Sequence, residues 1–206
     1  MLTFHLMKPQ ELYACSELAA NAFADYDYFS LYIPEQKKRE NCLKHMLYAN
    51  FRASRHNSIF FTAKKEHQLV AVAQLSRPYA PAPAKLQYLK AGFWKVLLQG
   101  GWEPILAWYK TDCDAEKPCL TLPGNTWFLR VLTVDPMQKS QGIGSKMLQS
   151  CIIPYVKGAN GETLCLFTNS EANRIFYQKN GFVEFHAQQF SYHGSSVGSW
   201  SYRMSL

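Results

Sequence analysis

The chain has 206 residues, 48% of them hydrophobic and 18% charged, a balance ordinary for a soluble globular protein and large enough to bury a full core. Its net charge of +7 suits a polyanionic ligand, while the lack of any basic block beyond Lys37 to Glu40 weighs against a nucleic-acid partner. No run of about 18 apolar residues occurs, and the opening MLTFHLMKPQ lacks the basic-then-apolar pattern of a secretory leader, so a cytoplasmic location with no membrane partner is expected.

Leu2 to Leu6 reads as a first strand, and Pro9 to about Phe23 as a helix with Leu12, Cys15, Leu18 and Ala19 on one face. A second helix is expected from about Pro34 to Ala53, with the Lys37-Lys38-Arg39-Glu40 cluster on a solvated face. Between them, Asp25 to Ile33 carries Tyr26, Tyr28, Phe29 and Tyr32, too dense an aromatic set for an ordinary loop. These rings either pack over the core or face a ligand. Ser58 to Ala63 and Gln68 to Gln74 read as two strands of a hairpin turning at Lys64 to His67.

After Ser76 the pattern breaks. Pro78 to Lys85 is proline-rich and extended, and an apolar stretch of helical spacing follows, interrupted at Gly100-Gly101. This insert, about 78–123, holds Trp94, Trp102, Trp108 and Tyr109. It covers a ligand site, forms an interface such as that of a homodimer, or seals a sheet edge. Cys113 and Cys119 flank an expected Asp-Ala-Glu-Lys-Pro loop across which they could bridge in an oxidising setting, and Cys15, Cys42, Cys151 and Cys165 read as core thiols. Reduced cysteines are expected throughout, and no zinc-ligand spacing is present, so no metal is expected.

The most informative stretch begins at Trp127. WFLRVLTV has the β-branched and aromatic content of a buried strand, and it runs into VDPMQKSQGIGSKML, a loop carrying Gly142 and Gly144. A helix is expected from Ser145 to Val156, with Met147, Leu148, Cys151 and Ile152 at helical spacing. Two glycines at a strand-to-helix turn let backbone N–H groups close around an acidic phosphate. The spacing fits neither a Walker loop nor a dinucleotide fingerprint, since Met147 stands where a third glycine is needed. Further on, Glu162 to Thr168 is strand-like, and SEANRIFYQKNGFVEF from Ser170 forms a helix that Asn169 or Ser170 caps and Gly181 ends. The tail from Phe190 to Met204 alternates as a last strand after the turn-forming HGSS.

Lys139-Ser140-Gln141-Gly142-Ile143-Gly144 resembles the Arg/Gln-x-x-Gly-x-Gly/Ala loop of the GNAT superfamily of N-acetyltransferases, and Ser170 to Phe185 resembles that family's second acetyl-CoA motif. The resemblance implies an α/β (α+β) GNAT fold: a mixed, mostly antiparallel sheet of about seven strands, splayed between strands 4 and 5. About four helices flank it, with the insert between strands 3 and 4, all in one domain over 1–206. It implies an acetyl-CoA-dependent transfer to a primary amine of a small molecule or an exposed peptide.

By the same resemblance, Leu132, Thr133 and Val134 would pair with the pantetheine arm, and Lys139, Ser140, Gln141, Gly142, Ile143, Gly144 and Ser145 would hold the pyrophosphate. Lys139 departs from the family's Arg or Gln and lacks a guanidinium fork. Tyr177 would donate to the departing sulfur, Asn173 would bind nearby, and Tyr26, Tyr28, Phe29 and Tyr32 would line the acceptor site. The position where some relatives carry a basic glutamate is Phe128, and Glu171, Glu184 and His186 are weak substitutes, so no general base is assigned. A non-catalytic CoA-binding sensor and a nucleic-acid-associated factor stand as alternatives.

Overall fold

A seven-stranded sheet runs in the order β1-β2-β3-β4-β5-β7-β6 through the computed structural model, which describes residues 1–206. Its strands are β1 (Leu2–Leu6), β2 (Ser58–Lys65), β3 (Gln68–Ser76), β4 (Thr126–Val134), β5 (Thr163–Thr168), β6 (Val183–Tyr192) and β7 (Ser195–Ser205). All neighbouring pairs are antiparallel except β4 and β5, which are parallel. The two tightest hairpins turn through paired left-handed residues, Glu66-His67 and His193-Gly194, the backbone that matches the twist of the flanking strands.

Helices cover both faces. The four expected ones are α1 (Leu12–Phe23), α3 (Gln36–Ser54), the pair α7 (Ile143–Met147) and α8 (Ile153–Gly158), and α9 (Glu171–Lys179). To these the chain adds the short α2 (Asp27–Ser30) and three helices of the insert, α4 (Lys85–Lys90), α5 (Trp94–Gly100) and α6 (Trp102–Leu120). Period-two alternation sends Ala71 and Ala73 of β3 into one core with Ile143, Met147 and Tyr177, and Val72 into the other with Leu43, Phe51 and Ile105.

Three local expectations are corrected. The helix expected over Ser145 to Val156 is α7 and α8 joined by a π turn at Leu148–Ile152. Pro154 explains it: the ring lacks an N–H for the Ser150 carbonyl and crowds it, and a wider turn relieves the contact. The loop expected between Cys113 and Cys119 is helical, because α6 continues through Pro118. Proline leaves the Asp114 carbonyl without its helical donor, and Gln188 of β6 supplies one at 3.3 Å. Arg39, expected on a solvated face, is buried. Its guanidinium donates to the carbonyls of Ala24, Ile33 and Pro34, which pins the connection carrying α2.

β4 and β5 pair only from Thr126–Phe128 to Thr163–Cys165. From Leu129 onward, the edge of β4 away from β3 has no strand partner, so the two strands part. A bulge marks the place: Gln74 faces Val131 and Leu75 faces Leu129, which leaves Arg130 as the extra residue.

Candidate active site

The loop after β4 is built to present amides. Asp135 accepts from the Met137 N–H at 2.9 Å and closes a short turn, Lys139 is extended, and Ser140 and Gly142 both take left-handed backbone at φ 63° and 71°. Gly142 caps α7, and the first intrahelical bond is Lys146 N–H to the Gly142 carbonyl at 2.9 Å. The N–H groups of Ile143, Gly144 and Ser145 therefore have no helical acceptor and carry the positive end of the helix dipole. Gly144 is buried, and a Cβ there would stand 3.1 Å from Phe176 Cζ. Close backbone approach, rather than φ, makes this position glycine.

Side chains around the loop were not legible in the sequence. Lys65, at the end of β2, reaches across to Gln138 at 3.2 Å and Gln141 at 3.1 Å. Its ammonium thus lies beside the loop, whereas Lys139 is exposed and has no partner that holds it. Asn180, buried after α9, donates to Ser145 Oγ at 3.1 Å and to the Phe176 carbonyl at 2.8 Å, locking the cradle to α9. Only the fold brings β2 and the end of α9 to this loop, so no local spacing could reveal either residue.

Leu132, Thr133 and Val134 lie on the unpaired half of β4, bonded to β3 on one side and open on the other. Across the opening stands α9. Tyr177 is buried among Phe176, Phe182 and Tyr202, with ring centroids 5.0, 5.5 and 6.3 Å away. Burial, and then the neighbouring Tyr26, pushes its phenol well above the usual tyrosine range, so it stays protonated.

Asn173, one turn earlier, donates to Thr168 Oγ1 at 3.1 Å and to the Tyr26 hydroxyl at 3.4 Å. That hydroxyl also accepts the Asn169 N–H at 2.8 Å. Asn169 is not the cap: Ser170 holds that place, and the Asn169 amide turns to β7 and donates to the Gly198 carbonyl at 2.9 Å.

The four aromatics of the α1–α2 connection separate. Tyr26 reaches the junction of β5 and α9, beside a cleft of about 640 Å³ whose walls include Asp27, Leu31, Asn169, Glu171, Ser196 and Trp200. Tyr28, Phe29 and Tyr32 are buried in the core under the insert. Their partners lie on α6: Tyr28 donates to Asp112 at 3.2 Å, Tyr32 to Thr111 at 2.6 Å, and Phe29 packs on Trp108 at 6.0 Å. These three rings pack against α6, and Tyr26 is the one whose polar end meets Asn173.

Residues 108–184 match the family model of the acetyltransferase (GNAT) domain, a span that takes in β4, the amide cradle and Tyr177. Over that span the chain is similar to the GNAT acetyltransferase domain, which belongs to acyltransferase enzymes whose donor is acetyl-CoA.

No curated protein matches the chain in sequence. The GNAT fold extends over its whole length in solved structures. One is the histone acetyltransferase HPA2 and related acetyltransferase from Corynebacterium glutamicum, 15% identical over 97% of this chain and 94% of that one, with a TM-score of 0.67. An N-acetyltransferase from Staphylococcus aureus is 15% identical over 100% and 98%, with a TM-score of 0.60. The PaiA N-acetyltransferase from Thermoplasma acidophilum, solved with coenzyme A, is 13% identical over 97% and 98%, with a TM-score of 0.55. At such identities the likeness is one of fold, and the GNAT domain's own geometry must carry any assignment of residues.

Proposed function

We propose that the chain, as one catalytic domain over 1–206, transfers an acetyl group from acetyl-CoA to a primary amine of a small molecule or an exposed peptide, with donor and acceptor bound together. The observation that supports this most is the parting of β4 from β5 between an amide cradle at one end and Tyr177 and Asn173 at the other. A strand edge left open there accommodates an extended amide-bearing arm as a neighbouring strand would. The amides of Ile143 to Ser145 suit a diphosphate, with Lys65 as the nearby cation.

In this reading the backbone of Leu132 to Val134 orients the arm, and an N–H of that stretch donates to the thioester oxygen as it gains charge. Tyr177 supplies a hydrogen bond to the sulfur as it leaves. With an ordinary phenol near pKa 10 and a thiol near 8.5, and burial raising the phenol further, its part is that of a donor rather than a full acid. Tyr26 and Asn173 hold the opposite wall. The reaction is placed in the cytoplasm as part of the same proposal.

Thiol release from acetyl-CoA, followed over a panel of primary amines, tests the proposal. Amine-dependent release that falls in Tyr177→Phe supports it. Tight CoA binding with no amine-stimulated release would leave a CoA-binding sensor in its place.

A further inference from the structure

The face of the sheet beneath α6 gathers polar groups that packing does not explain. α6 bridges the two strands where they part: Cys119 Sγ donates to the Leu166 carbonyl of β5 at 3.3 Å, and Glu116 forms an ion pair with Arg130 in the bulge of β4. Arg130 also donates to Ser76 Oγ at 2.6 Å and lies 4.9 Å over the Phe128 ring, which fixes the guanidinium. One turn back along α6, half-buried Asp112 accepts from the Tyr28 hydroxyl at 3.2 Å. The Tyr28 ring stands edge-on to Phe167 of β5 with centroids 6.4 Å apart. Two carboxylates one helical turn apart on α6 thus lie on the side of Arg130, at the point where β4 leaves β5.

A second, independent observation lies on the same face. Thr133 Oγ1 on the unpaired half of β4, and Ser199 and Ser201 Oγ on β7, are buried and have no hydrogen-bond partner. Their residues are 5%, 1% and 1% exposed. Thr133 pairs with Val72 and Ser201 with Phe167, and paired residues share a face, so all three hydroxyls project to the side that α1, α2 and α6 cover. Buried hydroxyls are normally satisfied, so three on one face without a partner are polar groups the packed fold leaves unused. Val197, in the wall of the open cleft, belongs to the same core as Tyr28, and Gly198 and Trp200 of that wall flank Ser199 in the chain.

We infer that Asp112 of the insert helix is the proton acceptor for the amine substrate, with Glu116 and Arg130 as its positioning pair, and that the acceptor is a small primary amine bearing hydroxyl or amide groups. The inference rests on the acetyltransferase reading above and supplies the base which that reading lacks. The ammonium of the acceptor gives one proton to the Asp112 carboxylate. The freed nitrogen lone pair bonds the acetyl carbon, the carbon–sulfur bond breaks with its electrons going to sulfur, and the thiolate takes the second proton released as the amide forms. Asp112 then returns its proton to solvent.

The electrostatics agree with the role. Burial and the neighbouring Glu116 raise the Asp112 carboxyl to about 7, against the pull of Arg130 and the Tyr28 hydrogen bond. The other titratable groups near it are Tyr32, Tyr88 and Tyr109, all pushed up and neutral, and the Cys113 thiol, likewise raised.

The chain has five aspartates, so carbon-detected NMR of protein labelled at the aspartate carboxyl resolves each titration. In the complex with acetyl-CoA, the Asp112 resonance, identified by its loss in Asp112→Asn, is expected to titrate near neutrality. A midpoint in the ordinary carboxylate range overturns the inference. Kinetics on spermidine, tyramine, serinol and an alanyl peptide amide give the second reading. Asp112→Asn should lower kcat/KM at pH 7 by about 10²- to 10⁴-fold and abolish the acidic limb of the pH profile, with acetyl-CoA affinity unchanged. Glu116→Gln should move that limb without abolishing it. A limb that persists in Asp112→Asn overturns the inference while leaving the transferase reading intact. Failure of the wild-type chain to bind acetyl-CoA or to release thiol with any of these amines overturns both.

Discussion

The Tyr26 hydroxyl accepts the backbone N–H of Asn169 at 2.8 Å, joining the α1–α2 connection to the residue that follows β5. The same oxygen meets Thr168 Oγ1 at 3.0 Å and the Asn173 amide at 3.4 Å, so one phenol ties together the far wall of the opening between β4 and β5. Replacing it leaves a part-buried N–H without a partner. Tyr26→Phe is expected to cost about 1–3 kcal/mol in urea unfolding. A change below about 0.5 kcal/mol would show that the node does not hold the wall.

Tyr177→Phe removes a donor while keeping the ring that packs against Phe176 and Phe182. Loss of one hydrogen bond to a developing thiolate should lower kcat about 10- to 100-fold, with the Kd for acetyl-CoA within about threefold of wild type. Equal losses in both quantities would make Tyr177 a binding residue instead.

Lys65 and Lys139 differ in placement, and binding should report it. Lys65→Ala, which removes the ammonium held against Gln138 and Gln141, is expected to weaken acetyl-CoA about 5- to 10-fold at low salt, an effect that shrinks as salt rises. Lys139→Ala should change affinity by less than about threefold. Calorimetry at two ionic strengths separates them, and the reverse order would put the working charge on the loop itself.

The stability of the fold should depend on pH through Asp112. Its carboxyl is raised to about 7 in the folded chain, against about 3.9 for an unfolded aspartate. The folded state therefore favours the protonated form. The favourable contribution is full below about pH 4 and is lost as pH rises through 7. Asp112→Asn mimics the protonated form, so its Tm should match wild type at pH 4 and exceed it by several degrees at pH 8. A variant less stable than wild type at pH 8 would contradict the sign of this shift.

Local chemistry carried most of the fold into the sequence. Strand-like runs located β1 to β5 closely, and the glycine pair marked the turn into α7, because these features rest on neighbours in the chain. The tail, read as one strand from Phe190, takes in the end of β6, the hairpin turn and β7. Where the reading failed, a distant partner had decided the outcome. The segment Asp114 to Pro118 read as a loop, and Gln188 of β6 lets it stay helical by satisfying the carbonyl that Pro118 frees. Arg39 looked solvated until the carbonyls of Ala24, Ile33 and Pro34 converged on it. Lys65, Asn180 and Asp112 lie far in sequence from the segments they meet, and no spacing announced them. The insert's inner and outer faces were equally hidden: Trp108 packs inward on Phe29, while Trp102, Leu106 and Tyr109 form an exposed stripe, 71%, 53% and 51% accessible.

The central claim is that the amides of Ile143 to Ser145, opened by the parting of β4 from β5, hold the diphosphate of acetyl-CoA. Titration calorimetry of acetyl-CoA into wild type and Gly144→Val tests it most directly, because a side chain at 144 would be driven against Phe176 and into the cradle. The account predicts one molecule bound per chain and at least a 100-fold weaker Kd in the variant, with the fold retained by circular dichroism. Wild-type protein that takes up no acetyl-CoA, or a folded variant that binds it as tightly as wild type, would contradict it.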